Sequence, residues 1–502
     1  MNISLLLEMT ADAFGDRVAV GSGPDALTYA GLLTAARRAG ALITEAGAER
    51  AGLVDESSAA QPVLLFGAAL AGKVFAPVNY RLADDRLRAL AARTAPALIV
   101  AGASDAPRLA GLDGVTVLPR EQFWAGLDRY PAAAGNPDLT GDDVAVWIFT
   151  SGTTGTPKAA VLRHRHLFSY VTATGDLGSA GPDEAALVSV PPYHIAGVAA
   201  VLTSVYAGRR LVYLPRYSPA AWVAAARAEA ITHAMVVPTM LAGILDTLAE
   251  TGTALPALRS LSYGGGKMPP DLVERALTAL PGVSFVNGYG LTETSSTITL
   301  LSPQDHRAAL ASADPAVRRR LGSVGRPLPH IELEVRDEAG RPVPAGTRGE
   351  VWVRGDHIAG EYADGAALTA DAWFRTRDGG WLDENGYLFI EGRLDDVIVR
   401  GGENIPPAEI EQVIAQHPGV AQVAVCAVPD PVWGEVPAAF VVARPGQVPS
   451  PEDLRDWVRD RLRSTRVPAY VEFVPELPYN ELGKLLRRTL QAGFANRAAQ
   501  PS

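Results

Sequence analysis

The first chemistry-bearing feature is Thr150-Ser151-Gly152-Thr153-Thr154-Gly155-Thr156-Pro157-Lys158. It follows residues 144–149, a continuous apolar stretch that reads as a buried strand. Glycines let a backbone approach a ligand closely. Hydroxyls and backbone N–H groups bind phosphate oxygens, and Lys158 adds a positive charge. The string therefore predicts a phosphate-binding loop. It is not a Walker loop, because the G-x-x-x-x-G-K-[ST] spacing is absent. Further along, Tyr289-Gly290-Leu291-Thr292-Glu293 sets a hydroxyl beside a carboxylate, and Gly264-Gly265-Gly266 follows the strand-like residues 260–263. Taken alone, the glycines are as well explained by an ordinary turn.

Taken together, these strings resemble the adenylate-forming superfamily, which holds acyl-CoA synthetases, peptide-synthetase adenylation domains and firefly-type luciferases. Residues 149–158 fit its phosphate-loop signature, Tyr/Phe-Thr-Ser-Gly-Ser/Thr-Thr-Gly-x-Pro-Lys-Gly, up to Ala159, where the family prefers glycine. The run 289–293 resembles its Tyr-Gly-x-Thr-Glu motif, and Gly349-Glu350-Val351 its Gly-Glu-Ile/Leu/Val element. Gly392-Arg393-Leu394-Asp395-Asp396 resembles the interdomain hinge, and Asn480-Glu481-Leu482-Gly483-Lys484 the catalytic-lysine loop. The motifs occur in the family's order across nearly the whole chain.

The resemblance implies an α/β fold. A large N-terminal adenylation domain (1–391), built of helix-covered sheets and a small β subdomain, precedes a hinge (392–395) and a small mobile α+β lid (396–502). It implies ATP, Mg²⁺ and coenzyme A as the cofactors of an AMP-forming acid–thiol ligase. Joining two anions needs cations around the reacting phosphate. Lys484, Thr292, Glu293 and His194 are the implied catalytic residues, with Glu293 as the Mg²⁺ ligand, a hard oxygen donor suited to that ion. The nucleotide contacts fall on the loop from Thr150 to Lys158, on Gly264, Gly265 and Gly266, and on Asn287, Gly288 and Tyr289. Asp378 stands at the family's ribose-binding position, and Arg393 near the hinge is implied to bind ribose or phosphate. The family shows glycine before that aspartate; this chain has Arg377, which puts the turn geometry in question.

His194 lies in Pro191-Pro192-Tyr193-His194-Ile195-Ala196-Gly197, which resembles a segment beside the acyl tunnel. Amino-acid-activating relatives carry an aspartate there, and none is present in 191–197. A buried ammonium without a counter-charge is costly, so α-amino acids are disfavoured. Val198, Val201, Val236, Val237 and Met240 suggest a pocket for an aryl or aliphatic acid. Gly401, Gly402 and Glu403, followed by Asn404 and Ile405, resemble the acyl-CoA synthetase form of the small domain, as do Val428-Pro429-Asp430 and Gly434-Glu435. Coenzyme A is thus the expected acceptor. The alternatives are the phosphopantetheine of an acyl carrier protein, another acceptor such as an amine, and a non-catalytic nucleotide or acyl sensor.

The elements that position these residues are readable in outline. Helices are expected at 29–47, 63–70, 81–93 (four arginines on its wet side), 219–229 and 239–251. Strands are expected at 97–100, 187–190, 210–214, 234–237, 260–263 and 284–287, an alternation that implies parallel sheets covered by helices. From 320 to 390 short strands with Gly and Asp turns imply a β-rich part, with strands at 331–337, 349–354 and 387–391. The last ~110 residues read as a separate α+β unit with helices at 409–416 and 451–463. At 502 residues the chain exceeds a single core. Its 45 basic against 55 acidic residues, a formal charge of −10, argue against nucleic acid as the main partner. The lone Cys426 reads as a small buried hydrophobe. Residues 1–16 lack a signal peptide's positive start, and no apolar run reaches a membrane span, so the expected location is the cytoplasm, without integral membrane association.

Overall fold

The computed structural model describes residues 1–132, 138–150, 157–266, 268–479 and 485–498. It divides into two compact units, Met1–Glu332 with Val353–Phe374, and Leu333–Trp352 with Arg375–Ser502.

The first unit holds two large sheets. In the nine-stranded sheet the central strands Ser284–Leu291, Ser260–Gly264, His233–Val236, Ala185–Val188, Arg210–Tyr213 and Val18–Val20 run parallel in that order. Antiparallel strands close its edges: Ser296–Leu301 and Arg326–Pro327 on one side, Leu27–Thr28 on the other. The eight-stranded sheet has the same character. Val144–Thr150, Val74–Pro77, Arg50–Val54, Ala97–Ala101 and Val115–Pro119 are parallel, and Lys158–Arg163, Glu361–Tyr362 and Gly365–Ala366 extend it antiparallel. Parallel strands are buried on both faces, and Ala97–Ala101 is buried at every residue.

The expected parallel sheets are therefore mixed. The segment between Thr150 and Lys158 is too short for a crossover, which takes a dozen or more residues. The strand after it has to return antiparallel. The helices Tyr29–Glu45 and Ala60–Leu70 cover the core, and the second is buried at every residue. They meet through small residues: a Cβ on Gly67 would lie 2.8 Å from the Ala36 carbonyl oxygen. The helix expected at 81–93 spans only Asp84–Ala92, with Asp84 and Asp85 in the first turn, where acids favour a helix start. Arg81 falls outside it and donates to Asn79 and Tyr80.

In the second unit, residues 333–352 and 375–393 carry most of the four-stranded sheet Ile331–Arg336, Gly349–Gly355, Phe374–Leu382 and Leu388–Arg393. A five-stranded sheet follows, formed by Glu403–Ile405, Ile398–Arg400, Gly434–Ala443 and Val420–Asp430, with Tyr470–Phe473 parallel to Gly434–Ala443. The helices Pro407–Ile414 and Pro451–Arg459 pack on it around Ile410, Ile414, Leu454 and Val458. Cys426 is buried and unbridged, and burial pushes its thiol up to about 11. Among the described residues no helix is long and apolar enough to cross a membrane.

Candidate active site

In the first unit, the strand Ser260–Gly264 ends with Gly264 opposite Gly288 and Tyr263 opposite Asn287, while its parallel neighbour Ser284–Leu291 runs on to Leu291. Backbone contact explains the glycine: a Cβ on Gly264 would sit 2.3 Å from the Gly288 carbonyl oxygen. Gly265 follows with φ +76°, so the chain turns away after Gly264 through residues without side chains. Asn287 donates its amide to the Ser323 carbonyl at 3.1 Å.

Beyond Tyr289 and Gly290 the strand becomes the turn Thr292–Thr294 and then returns as Ser296–Leu301. Thr294 fixes the turn. Its Oγ1 accepts from the Leu291 N–H at 2.9 Å and donates toward the carbonyls of Leu291 and Ser296. Glu293 is thereby held at 8% exposure. Its carbonyl accepts from the N–H groups of Ala359 and Gly360 at 2.9 and 3.0 Å. Its carboxylate accepts from the Tyr362 hydroxyl at 2.6 Å.

Lys158 opens the return strand opposite Thr150. Its Nζ lies 3.7 Å from Asp364 Oδ2 and 5.3 Å from the Tyr362 ring centroid. Thus the structure brings Lys158 and Glu293 onto one shared neighbour, Tyr362. Ala159 is buried in extended strand, and its carbonyl accepts from Ala363 N–H at 2.9 Å, so nothing at this position requires glycine. Ser151, Gly152, Thr153, Thr154 and Gly155 of the loop lie outside the described residues, as does Lys484.

His194 stands at the start of the helix Ile195–Ala207, its ring 4.7 Å from that of Tyr193, which in turn meets Tyr80. Val198 and Val201 are fully buried in the main core, and Val236, Val237 and Met240 are buried as well.

In the second unit, Asp378 and Arg393 are register partners across an antiparallel pair, and Arg393 Nε lies 2.9 Å from Asp378 Oδ1. Arg377 takes the left-handed φ of +61° that glycine would supply, and its guanidinium faces Glu350 at 4.0 Å. The turn survives the missing glycine because Asp378 N–H donates to Thr376 Oγ1 at 3.1 Å and that hydroxyl donates to the Val351 carbonyl at 2.8 Å. Gly401 and Gly402 form the two-residue turn between Arg400 and Glu403, with φ +57° and +84°, the pattern of a tight hairpin. Glu403 is engaged by Arg466, whose hydrogen bond holds its carboxyl below the usual range.

Reading the sequence misses Tyr362 and Asp364. Neither stands in a recognisable motif; the signal for both is spatial.

Among the described residues no group of three His, Cys, Asp or Glu forms a metal cage. One buried, oriented carboxylate still fits Mg²⁺, which typically takes one or two carboxylates and completes its shell with phosphates and water.

Comparison with known proteins agrees with this architecture. A family model described as AMP-binding enzyme matches residues 7–363, and one described as AMP-binding enzyme C-terminal domain matches residues 409–484. The chain belongs to the AMP-binding enzyme family. It is 35% identical to a fatty acid–[acyl-carrier-protein] ligase of Streptomyces coeruleorubidus, over 87% of this chain and 85% of that one. It is 34% identical to a feruloyl-CoA synthase of an Amycolatopsis species, over 95% and 96%. Its structure is similar to ATP-bound MatB from Rhodopseudomonas palustris, with a TM-score of 0.88 and 26% identity over 99% and 100% of the two chains.

Proposed function

We propose that this enzyme condenses an apolar aryl or aliphatic carboxylic acid with ATP to an acyl-adenylate and passes the acyl group to the thiol of coenzyme A. The observation that carries the reading is the convergence of a lysine at the phosphate loop and a buried, tyrosine-bound carboxylate on one segment of the first unit.

In the first half-reaction a carboxylate oxygen of the acid bonds to the α-phosphorus of ATP. The bond from that phosphorus to the bridging oxygen breaks, and pyrophosphate leaves with the electron pair. Lys158 and the loop hydroxyls bind the phosphates, Asp378 receives the ribose hydroxyls, and the Gly264 to Gly266 backbone gives the adenine a flat face. Mg²⁺, when bound, would offset charge on the phosphates, and Glu293 would hold it. Lys484 bridges the carboxylate and the α-phosphate. In the second half-reaction the thiolate sulfur bonds to the acyl carbon and the mixed-anhydride bond from that carbon to the AMP oxygen breaks. AMP leaves as the anion, and the thiol proton passes to solvent. Residues 392–395 serve as the hinge between a 1–391 adenylation domain and a 396–502 lid.

Absence of a counter-charge for an ammonium in residues 191–197 supports an acid without an α-amino group. The feruloyl-CoA synthase relative supports an aryl acid and coenzyme A. A second reading, a carrier-protein phosphopantetheine as acceptor, is favoured by the fatty acid–[acyl-carrier-protein] ligase relative. ATP–pyrophosphate exchange across a panel of aryl, aliphatic and amino acids tests the substrate class. Exchange only with amino acids would overturn it. Thioester formation with coenzyme A against a phosphopantetheinylated carrier then decides the acceptor.

A further inference from the structure

We infer that Tyr362 is a positioning residue for adenylation, orienting the metal-binding carboxylate of Glu293 and the phosphate-binding ammonium of Lys158 before the nucleotide arrives. The inference rests on the roles proposed above for those two residues.

Four sets of contacts support it. The Tyr362 hydroxyl donates to Glu293 Oε1 at 2.6 Å, a bond to an ionisable oxygen of the kind that is stronger than a neutral one. It engages one oxygen of two, so the other can face a cation. The Tyr362 ring lies 5.3 Å from Lys158 Nζ, within cation–π range. The backbone just before it, Ala359 and Gly360, donates to the Glu293 carbonyl. Finally, the segment is stitched to the strand that Lys158 begins: Tyr362 is the register partner of Ala160, and Ala363 N–H donates to Ala159.

One two-residue strand, Glu361–Tyr362, thus indexes both charges to each other. A phenol suits this task chemically. A second carboxylate at this place would neutralise Lys158, and a second cation would neutralise Glu293. The uncharged phenol orients each through a different part of itself, the hydroxyl and the π face, and leaves both charges for the magnesium–nucleotide complex. Asp364, 3.7 Å from Lys158 on the exposed side, is a weaker, solvent-screened contact that arriving phosphates can displace.

The test compares Tyr362→Phe, Tyr362→Leu and Glu293→Gln with the parent protein. ATP binding is measured by calorimetry across a Mg²⁺ titration without any acid, alongside pyrophosphate exchange with acid. Loss of a partner that orients a metal ligand costs ~10-fold in metal affinity. Tyr362→Phe is therefore expected to raise the half-saturating Mg²⁺ about 10-fold, while ATP affinity at saturating Mg²⁺ stays within about twofold because the ring remains. Tyr362→Leu loses ATP affinity at saturating Mg²⁺ as well. A purely structural tyrosine would lower the melting temperature and leave the Mg²⁺ titration unmoved. If Glu293→Gln shifts the titration and Tyr362→Phe does not, the positioning role is overturned and the site reading stands. If Glu293→Gln shifts nothing, the site reading itself falls, and this inference with it. Melting curves of each variant identify any that fail to fold, and the conservative phenylalanine variant keeps the question answerable if the leucine one does.

Discussion

Arg393 Nε lies 2.9 Å from Asp378 Oδ1, across the register pair that joins their strands, and a second Arg393 nitrogen donates to the Thr376 carbonyl at 2.7 Å. The arginine fixes the orientation of the carboxylate proposed to accept from a ribose. Asp378→Asn keeps the shape and removes the charge. Hydrogen bonds to charged groups contribute about 1.5–3 kcal/mol, so the KM for ATP in pyrophosphate exchange should rise about 10- to 100-fold. A change under about twofold would reject the ribose role.

Arg377 sits immediately before that aspartate with φ +61°. A side chain in this region costs on the order of 1 kcal/mol relative to glycine. Arg377→Gly should therefore unfold at a higher urea midpoint, by up to about 1 kcal/mol in stability, less the extra chain entropy of glycine in the unfolded state. The KM for ATP should stay within about threefold. Lower stability would mean that the Arg377 contact with Glu350 outweighs the strain. A large rise in KM would assign the guanidinium a ligand.

Lys484 is the cation proposed to meet the transition state. Removing one preorganised charge of that kind costs ~10²–10³ in rate. Lys484→Ala should lose that much adenylate formation with an unchanged melting temperature. A variant that makes adenylate at the parent rate would remove Lys484 from the mechanism.

Two buried histidines give the first unit a pH signature. His164 is 0% exposed and His166 4%, and both are held down to about 4 chiefly by burial, with Arg165 and Arg163 adding to the effect at His166. Both are neutral in the fold, whereas an unfolded histidine titrates near about 6.5. Between those values the unfolded chain binds more protons. The stability they contribute is complete above about 6.5, declines as pH falls toward about 4, and is flat below. Each can account for at most roughly 3 kcal/mol. Urea midpoints at two pH values spanning the window, on the parent and on His166→Gln, check this. The variant should lose less stability than the parent on acidification, and equal losses would reject the assignment.

How much of this was legible in the sequence differs by residue. Gly264 and Gly288 were reached through the family resemblance, because the glycine string alone is as well explained by an ordinary turn; the close approach of their backbones appears only once the two strands are paired. Asp378 and Arg393 were each identifiable, but their pairing required the antiparallel register, which no local period reveals. Tyr362 was not legible. It stands 69 residues from Glu293, in a two-residue strand too short for any alternation to show. The return strand beginning at Lys158 was missed because strand–helix alternation predicts a parallel sheet, and only the shortness of the loop argues otherwise.

Asp395 carries the last prediction. The strand Leu388–Arg393 runs into it through Gly392, whose φ of +147° is a conformation that residues with side chains rarely adopt, and Asp395 itself lies in the short turn Leu394–Asp396. If this junction is the hinge, a few backbone dihedrals absorb the change that lets one set of groups serve adenylation and another serve thioester formation. Proline fixes φ near about −65° and restricts that change. Asp395→Pro should then keep most pyrophosphate exchange while acyl-CoA formation falls by ~10-fold or more, as expected when a conformational step gates turnover. A plain surface turn predicts something else, since proline there would leave both steps intact or disturb them alike. Measuring both half-reactions on the folded variant separates the two, and equal loss in both would reject the hinge.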